Sequence, residues 1–346
     1  MLARTVERWA WRGFWVAMAV AIAVTVVDYL GRWSTPGYWV RNLVMHALYW
    51  SPRLAGAFLL SGLLSHAVVN QGFRRWRAAV LSLAVLIGLW SSLVEPGWIR
   101  VRETTFSGIP AAAEPVRLAV IADIHWGLFF RDGQLRDLVD RLNALDVDAV
   151  MVAGDWTHEP PPDLTAGLAP LAQIRHPVFA VLGNHDVESP GPPLTEPLKA
   201  ALQTHGVQLL EGRVVAWKGW ELVGLDDHWG GHPQTQVQRL WPAVAGEVAP
   251  PSPSVRIVIA HQPDTIALLP AGAAFLSLAG HTHGGQIWIP GFTPWWLRHT
   301  NSEQPWWNGV YQARGGPVLV TPGIGTIGLP ARLGVLPTID VVTLQR

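Results

Sequence analysis

His281 and His283 stand one residue apart in Gly280-His281-Thr282-His283-Gly284-Gly285-Gln286, directly after an apolar run, Ala273 to Ala279, that reads as a buried strand. Neutral imidazole is the commonest metal ligand, and two of them beside a glycine pair can aim nitrogens at one point. Other segments share the design: Asp123-Ile124-His125, Gly154-Asp155 and Gly183-Asn184-His185-Asp186 each follow an apolar strand, and His261 ends the run Val255 to Ala260. Taken singly, each has an ordinary reading as a turn, a loop or a hydrogen-bonded core histidine. Together, all at strand ends, they describe a two-metal hydrolase. Such a site needs oxygen and nitrogen ligands from several strands and one carboxylate that can bridge. Asp123 and His125, spaced i, i+2, are expected to point to the same side. Asp155 is the natural bridge, Asn184 offers a neutral oxygen that limits the charge, and His261, His281 and His283 complete the set.

The elements that must position these residues alternate between strand and helix. The pattern predicts a strand at Arg117–Ala122, then a helix at Gly133–Leu145 with Leu135, Leu138, Val139, Leu142 and Leu145 on one face and Asp132 as N-cap. Strand Ala149–Ala153, helix Leu164–Ile174, strand Val178–Leu182 and helix Leu194–Thr204, closed by Gly206, follow. Later strands are Trp220–Leu225, Val255–Ala260, Ala274–Leu278, Pro317–Thr321 and Ile339–Leu344. Alternation of this kind indicates an α/β layered fold, here two packed sheets with helices outside. The ligands would sit on the rim at the strands' C-terminal ends, where layered α/β folds bind.

The chain has 346 residues, 49% of them hydrophobic and 14% charged. The apolar excess is concentrated in Gly13–Leu30, Leu54–Asn70 and Ala78–Val94, each about long enough to cross a bilayer as a helix. A signal peptide is the other reading of the first run, but two more runs follow and no small-residue cleavage site stands near Asp28. Trp9, Trp11, Trp15, Trp33, Trp50, Trp76, Trp90 and Trp98 lie at or near the span ends, as in an aromatic belt. The expected layout is a membrane anchor of about three transmembrane helices over 1–98, a linker or edge strand over 99–115, and a catalytic domain over 116–346. Arg4, Arg8 and Arg12 precede the first span, and Arg74, Arg75 and Arg77 crowd the loop before the third. If both groups face the cytoplasm, an integral inner-membrane protein with an extracytoplasmic catalytic domain results. Arg32, Arg41 and Arg53 count against that side. A net charge of +0 and the lack of a basic stripe give no sign of a nucleic-acid partner. Without cysteine there is neither a disulfide framework nor a thiolate metal site.

These motifs resemble the calcineurin-like metallophosphoesterase superfamily, whose pattern is D-x-H, G-D, G-N-H-D, a strand-end His and G-H-x-H, all present here in order from Asp123 to His283. The form Gly280–Gln286 and the stretch Gly323-Ile324-Gly325-Thr326…Leu329-Pro330-Ala331-Arg332 look like a narrower branch. It contains membrane-associated bacterial phosphodiesterases, some acting on UDP-diacylglucosamine. The resemblance implies a four-layer α/β/β/α sandwich and two divalent metal ions, Mn, Fe or Zn. Asp123, His125 and His283 would hold the first ion, Asn184, His261 and His281 the second, and Asp155 would bridge. His185 would face the substrate phosphate and Asp186 would orient it. A bridging hydroxide would then attack a phosphate ester or anhydride in line.

The chain departs from the wider pattern after Gly154-Asp155, where Trp156-Thr157-His158 stands in place of a nearby acidic residue; His158 has two readings, a contact to the substrate phosphate and, the favoured one, a surface residue of that loop. Trp126, next to His125, is a candidate wall of the pocket. After the paired histidines come Trp288, Phe292, Trp295, Trp296, Trp306 and Trp307 with Arg298 and Arg314, either an aromatic cluster packing a long loop or a lipid-facing lip. The leading reading is a membrane-bound phosphodiesterase or pyrophosphohydrolase acting on a lipid-linked or envelope phosphate, with membrane lipid as a partner. The rivals are a phosphomonoesterase or protein phosphatase, and a non-catalytic membrane scaffold that keeps the fold.

Overall fold

The computed structural model describes residues 2–32, 39–187, 194–227, 231–242, 254–300 and 302–346. The chain divides into two compact units, Met1–Trp98 with Ile327–Leu333, and Ile99–Thr326 with Gly334–Arg346.

The first unit contains three long helices, α1 (Leu2–Arg32), α2 (Trp39–Val69) and α3 (Gly72–Leu93). Arg4–Val27, Leu43–Val69 and Gly72–Gly97 are apolar and long enough to cross a membrane. The first two helices start well before the apolar runs. For α2 the reason is chemical. Pro52 removes a donor from the helix ladder, and the Ser51 hydroxyl and the Arg53 guanidinium bond to the Ala47 and Tyr49 carbonyls beside the gap, both at 2.7 Å. The Arg53 guanidinium also lies 3.6 Å from the centre of the Tyr49 ring. A satisfied cation and a proline thus sit inside a continuous helix. Glu7 near the start of α1 meets His66 near the end of α2 at 2.6 Å, so these helices run antiparallel. Trp9, Trp15, Trp76, Trp90 and Trp98 are exposed, whereas Trp33 lies outside the described residues.

In the second unit the strands are β1 (Arg100–Ser107), β2 (Val116–Ile121), β3 (Trp126–Gly127), β4 (Ala149–Ala153), β5 (Thr157–His158), β6 (Val178–Val181), β7 (Val207–Leu209), β8 (Val214–Trp217), β9 (Trp220–Gly224), β10 (Arg256–Ile259), β11 (Leu276–Ala279), β12 (Gly309–Ala313), β13 (Gly316–Val320) and β14 (Thr338–Gln345). One six-stranded sheet has the order β1-β14-β2-β4-β6-β7 and the other β12-β13-β11-β10-β9-β8. Strands β2, β4, β6 and β7 are parallel, as are β9, β10, β11 and β13. The two inner faces share one core, including Leu118, Val120, Met151, Phe179, Ile257, Ile259, Leu278 and Leu319. The outer face of the first sheet is covered by α4 (Asp132–Asn143), α5 (Leu164–Leu168) and, after the short α6 (Asn184–Val187), by α7 (Thr195–Thr204). That of the second is covered by α8 (Pro233–Leu240) and α9 (Pro263–Ala267). The unit is the four-layer α/β/β/α sandwich. Near-continuous apolar strands such as Ala149–Ala153 are what sheets buried on both faces require.

Two local expectations change, and a third is decided between its alternatives. Asp132 is the first residue of α4 rather than its N-cap: Arg131 holds that place, its N–H donates to the Gln134 side chain at 2.9 Å, and Asp132 accepts from the Trp126 indole at 2.9 Å. The helix expected over Leu164–Ile174 stops at Leu168 and continues as a 3₁₀ turn, Ala169–Gln173, because Pro170 cannot donate to the α ladder. The stretch read as linker or edge strand is an edge strand, since β1 pairs in parallel with β14 along its whole length. Arg102 on β1 bonds to the fully buried carboxylate of Asp340 on β14, whose pKa burial raises and Arg102 opposes. Arg102→Ala removes the cation bonded to that carboxylate and is expected to cost on the order of 3 kcal/mol, read as a lowered urea midpoint for the detergent-solubilised chain. An unchanged midpoint would mean that β1 adds nothing to the domain.

Candidate metal centre

The candidate ligands leave the C-terminal ends of five parallel strands: Asp123 and His125 after β2, Asp155 after β4, Asn184 after β6, His261 after β10, and His281 and His283 after β11. Their convergence does not come from strand alternation, as the spacing of Asp123 and His125 suggested. Asp123, His125, Asp155, His281 and His283 all have left-handed backbone, with φ of 52°, 50°, 54°, 71° and 51°. Each such non-glycine residue costs roughly 1–3 kcal/mol and persists only where its surroundings enforce it. Those surroundings are visible. The Asp123 and His125 N–H groups donate to the Gly154 and Asp155 carbonyls at 2.9 and 3.1 Å, and the Gly325 N–H donates to the Asp123 carbonyl at 2.7 Å. Two motif glycines permit close approach: a Cβ on Gly183 would lie 2.2 Å from Asp155 Oδ1, and one on Gly280 2.6 Å from Asp123 Oδ2.

All seven residues come together. His125 Nε2 and His283 Nε2 are 3.0 Å apart, and Asp123 Oδ1 is 3.3 Å from His283 Nε2. Beside this group, His261 Nε2, Asn184 Oδ1 and His281 Nδ1 lie 3.0–3.2 Å from one another. Asp155 Oδ2 faces both, 3.5 Å from His125 Nε2 and 3.2 Å from His261 Nε2. Donor atoms around one ion at about 2.0–2.1 Å are separated by about 2.9–3.4 Å. Lone pairs facing each other at such distances fit cations rather than each other. Asp123–His125–His283 and Asp123–Asp155–His261 each form a convergent trio. His261 Nδ1 lies 2.8 Å from the Ala153 carbonyl, which fixes a proton there and turns Nε2 inward.

The electrostatics agree. Burial pushes His125 well below the ordinary imidazole value, with Asp155 opposing, and holds it in the neutral form a metal requires. Burial would raise Asp155, but neighbouring His261 and His185 outweigh it and hold the carboxyl well down. For His261, burial is outweighed by the Asp155 charge, and its pKa stands well above normal. Asp155 thus demands positive charge at its side, and a divalent cation supplies it with release of that proton.

His185 is at the rim of this centre. Its backbone N–H donates to Asp155 Oδ1 at 3.0 Å, and burial lowers the pKa of its ring, with Asp155 opposing. Asp186 does not orient the His185 ring, contrary to the expectation. Its two oxygens accept from the N–H groups of Trp156, Thr157 and Gly183 at 3.0, 3.0 and 2.9 Å and from the Thr157 hydroxyl at 3.1 Å. Burial and then the Asp155 charge push its pKa up to about 7, against those donors. Asp186 is therefore a clamp that ties the loop after β4 to the loop after β6. Trp126 does not form an exposed pocket wall; it is a residue of β3, buried with its ring against Gly167. His158 is buried at 6% exposure, not on the surface. The loop Gly323–Gly325, noted in the sequence only as part of a branch-like stretch, supports the site: its Ile324 N–H also donates to the Ala122 carbonyl at 3.0 Å.

Residues 116–285 match the calcineurin-like phosphoesterase family. The phosphodiesterase YaeI of Escherichia coli is 29% identical over 207 residues, 57% of this chain and 71% of that one. A zebrafish (Danio rerio) transmembrane protein with a metallophosphoesterase domain is 27% identical over 300 residues, 81% of this chain and 65% of its own. An uncharacterized metallophosphoesterase of Helicobacter pylori is 26% identical over 249 residues, 71% of this chain and 63% of that one. This chain therefore spans somewhat under two thirds of the zebrafish and Helicobacter relatives. Among solved structures, TT1561 of Thermus thermophilus aligns over 60% of this chain and 89% of its own at 13% identity, with a TM-score of 0.38. The sandwich, its ligand-bearing rim and the family match define a calcineurin-like metallophosphoesterase domain. It is the domain of a metal-dependent phosphoester hydrolase.

Asp186→Ala leaves three buried N–H groups without their acceptor, at about 1–3 kcal/mol each. It is expected to lower both the melting temperature and the bound metal. His185→Ala is expected to change neither. Elemental analysis and thermal melts check this, and equal metal loss in both variants would contradict the division of roles.

Proposed function

We propose that the protein is a membrane-anchored phosphodiesterase or pyrophosphohydrolase with a two-metal centre, acting on an amphiphilic, lipid-linked or envelope phosphate. The observation that carries the reading is Asp155 Oδ2 facing both donor groups, the position of a bridging carboxylate. Asp123, His125 and His283 would hold one ion, and Asn184, His261 and His281 the other. Bound divalent cations supply Lewis acidity to the phosphoryl oxygens and lower the pKa of water; Mn, Fe and Zn all suit this nitrogen and oxygen set. The chain's own part is positional. Asp155 fixes the spacing of the two groups, and Asp186 holds the two loops that carry Asp155 and Asn184. His185 directs an imidazole N–H at a phosphoryl or leaving oxygen, where negative charge builds as the bond breaks.

Two features support an amphiphile as substrate. The three apolar helices are long enough to span a membrane and would keep the domain at it. After His283, the helix α10 (Phe292–Thr300) buries Thr293 and Leu297 and leaves Phe292, Trp295 and Trp296 about half exposed. Thr293 accepts from the Ile289 N–H and donates to the Ile287 carbonyl, both at 2.8 Å, so this face is held in place. Exposed Trp suits the interface between headgroups and acyl chains. Arg4, Arg8 and Arg12 at the start of α1 and Arg74, Arg75 and Arg77 at the start of α3 give α1 a cytoplasmic N-terminus, and three spans then carry the catalytic domain outside. That side disfavours UDP-diacylglucosamine, a cytoplasmic substrate.

Asp155→Asn is expected to lower bis(p-nitrophenyl) phosphate hydrolysis by at least about 100-fold, and chelation to abolish it until a divalent metal is restored. Faster turnover of p-nitrophenyl phosphate than of the diester would favour a monoesterase, and metal-independent or absent turnover would refute the enzyme. An alkaline phosphatase fusion after Arg346 is expected to be active. An inactive fusion beside an active cytoplasmic reporter would place the domain inside.

A further inference from the structure

Asp186 is occupied with backbone amides, so another group must set the direction of the His185 ring. That ring lies edge-on to two others: to His125 at 5.1 Å and 82°, and to His158 at 5.2 Å and 90°. His125 is a candidate ligand and is fully buried. His158 belongs to neither ligand group, yet it is buried and equally close.

The local fold explains its place. Strands β3 and β5 form a small parallel sheet that pairs Gly127 with His158. The Leu128 N–H donates to the His158 carbonyl at 3.0 Å. A Cβ on Gly127 would lie 2.3 Å from that oxygen, so only glycine lets the strands approach this closely. The ring of Phe129 lies 5.9 Å from that of His158, and the His125 ring 5.6 Å from it at 81°. A ring walled in this way has little freedom and passes that constraint to its neighbour. Perpendicular aromatic contacts are directional, since a positive ring edge meets a negative face. A ring also adds no negative charge beside Asp123, Asp155 and Asp186, as an acidic residue would.

We infer that His158 is a positioning residue for His185: its buried ring closes the corner that fixes how His185 presents its imidazole to the substrate phosphate. The inference rests on the proposed role of His185. A loosely held catalytic group loses rate more than binding, because small misplacements in the reactive geometry are costly.

The test is a double-mutant cycle on the full-length chain in detergent, with bis(p-nitrophenyl) phosphate as probe. His158→Ala should lower kcat by about 10-fold, within the range that misplacement produces, with KM little changed and metal content intact. His158→Phe, which keeps a ring, should recover most of the rate. In a His185→Ala background, His158→Ala should cost nothing further. Full activity of His158→Ala, an undiminished loss in the His185→Ala background, or rescue by His158→Gln but not by His158→Phe would each overturn the inference. Should His158→Ala not fold, His158→Leu fills the space without a ring edge, and wild-type kcat in that variant would overturn it. Wild-type activity of His185→Ala would instead refute the role of His185 itself, and this inference with it.

Discussion

The site depends on the placement of one carboxylate. Asp155 is buried, lies within 3.5 Å of imidazole nitrogens from both donor groups, and accepts the His185 N–H. A buried anion is costly unless compensated, and the compensation here is the set of imidazoles around it, led by His261 and His185. The two sheets meet at this point: Asp155 comes from β4 of one, and His261 from β10 of the other. Removing the carboxylate removes the reason for both groups to face each other.

Holding it there is a backbone problem. Five candidate ligand positions adopt left-handed conformations that most residues avoid, and sandwich, glycines and loops enforce them. Asp186 is the part of this support that sequence pattern misassigns. A carboxylate next to a histidine invites the reading of an orienting pair, but four donors saturate its oxygens, which are good for about four hydrogen bonds. Among the described residues, the rings that meet His185 edge-on are His125 and His158, of which His158 lies outside the candidate ligand set.

Much of this was legible in the chain. Strands buried on both faces, such as Ala149–Ala153, announce themselves as unbroken apolar runs, and the polar residue that ends each run marks the rim. Helix α4 was readable from Leu135, Leu138, Val139 and Leu142, all of which are buried. What stayed hidden depends on contacts between distant segments. The short strands β3 and β5 have no periodicity to detect, so His158 looked like a surface residue and Trp126 like a pocket wall. The first half of α2 was hidden because the uncharged run begins only at Leu54, whereas a hydroxyl, a guanidinium and a tyrosine ring carry the helix through Pro52 and Arg53. Edge strand β1 carries polar residues that resemble a linker until Asp340 is seen across from Arg102.

The central claim is that Asp155 joins two ions in one centre. Electron paramagnetic resonance of the Mn²⁺-loaded chain tests it directly. The account predicts a spin-coupled signal that saturates at two equivalents of Mn²⁺ and is lost in Asp155→Asn. Saturation at one equivalent with an uncoupled six-line spectrum would contradict it.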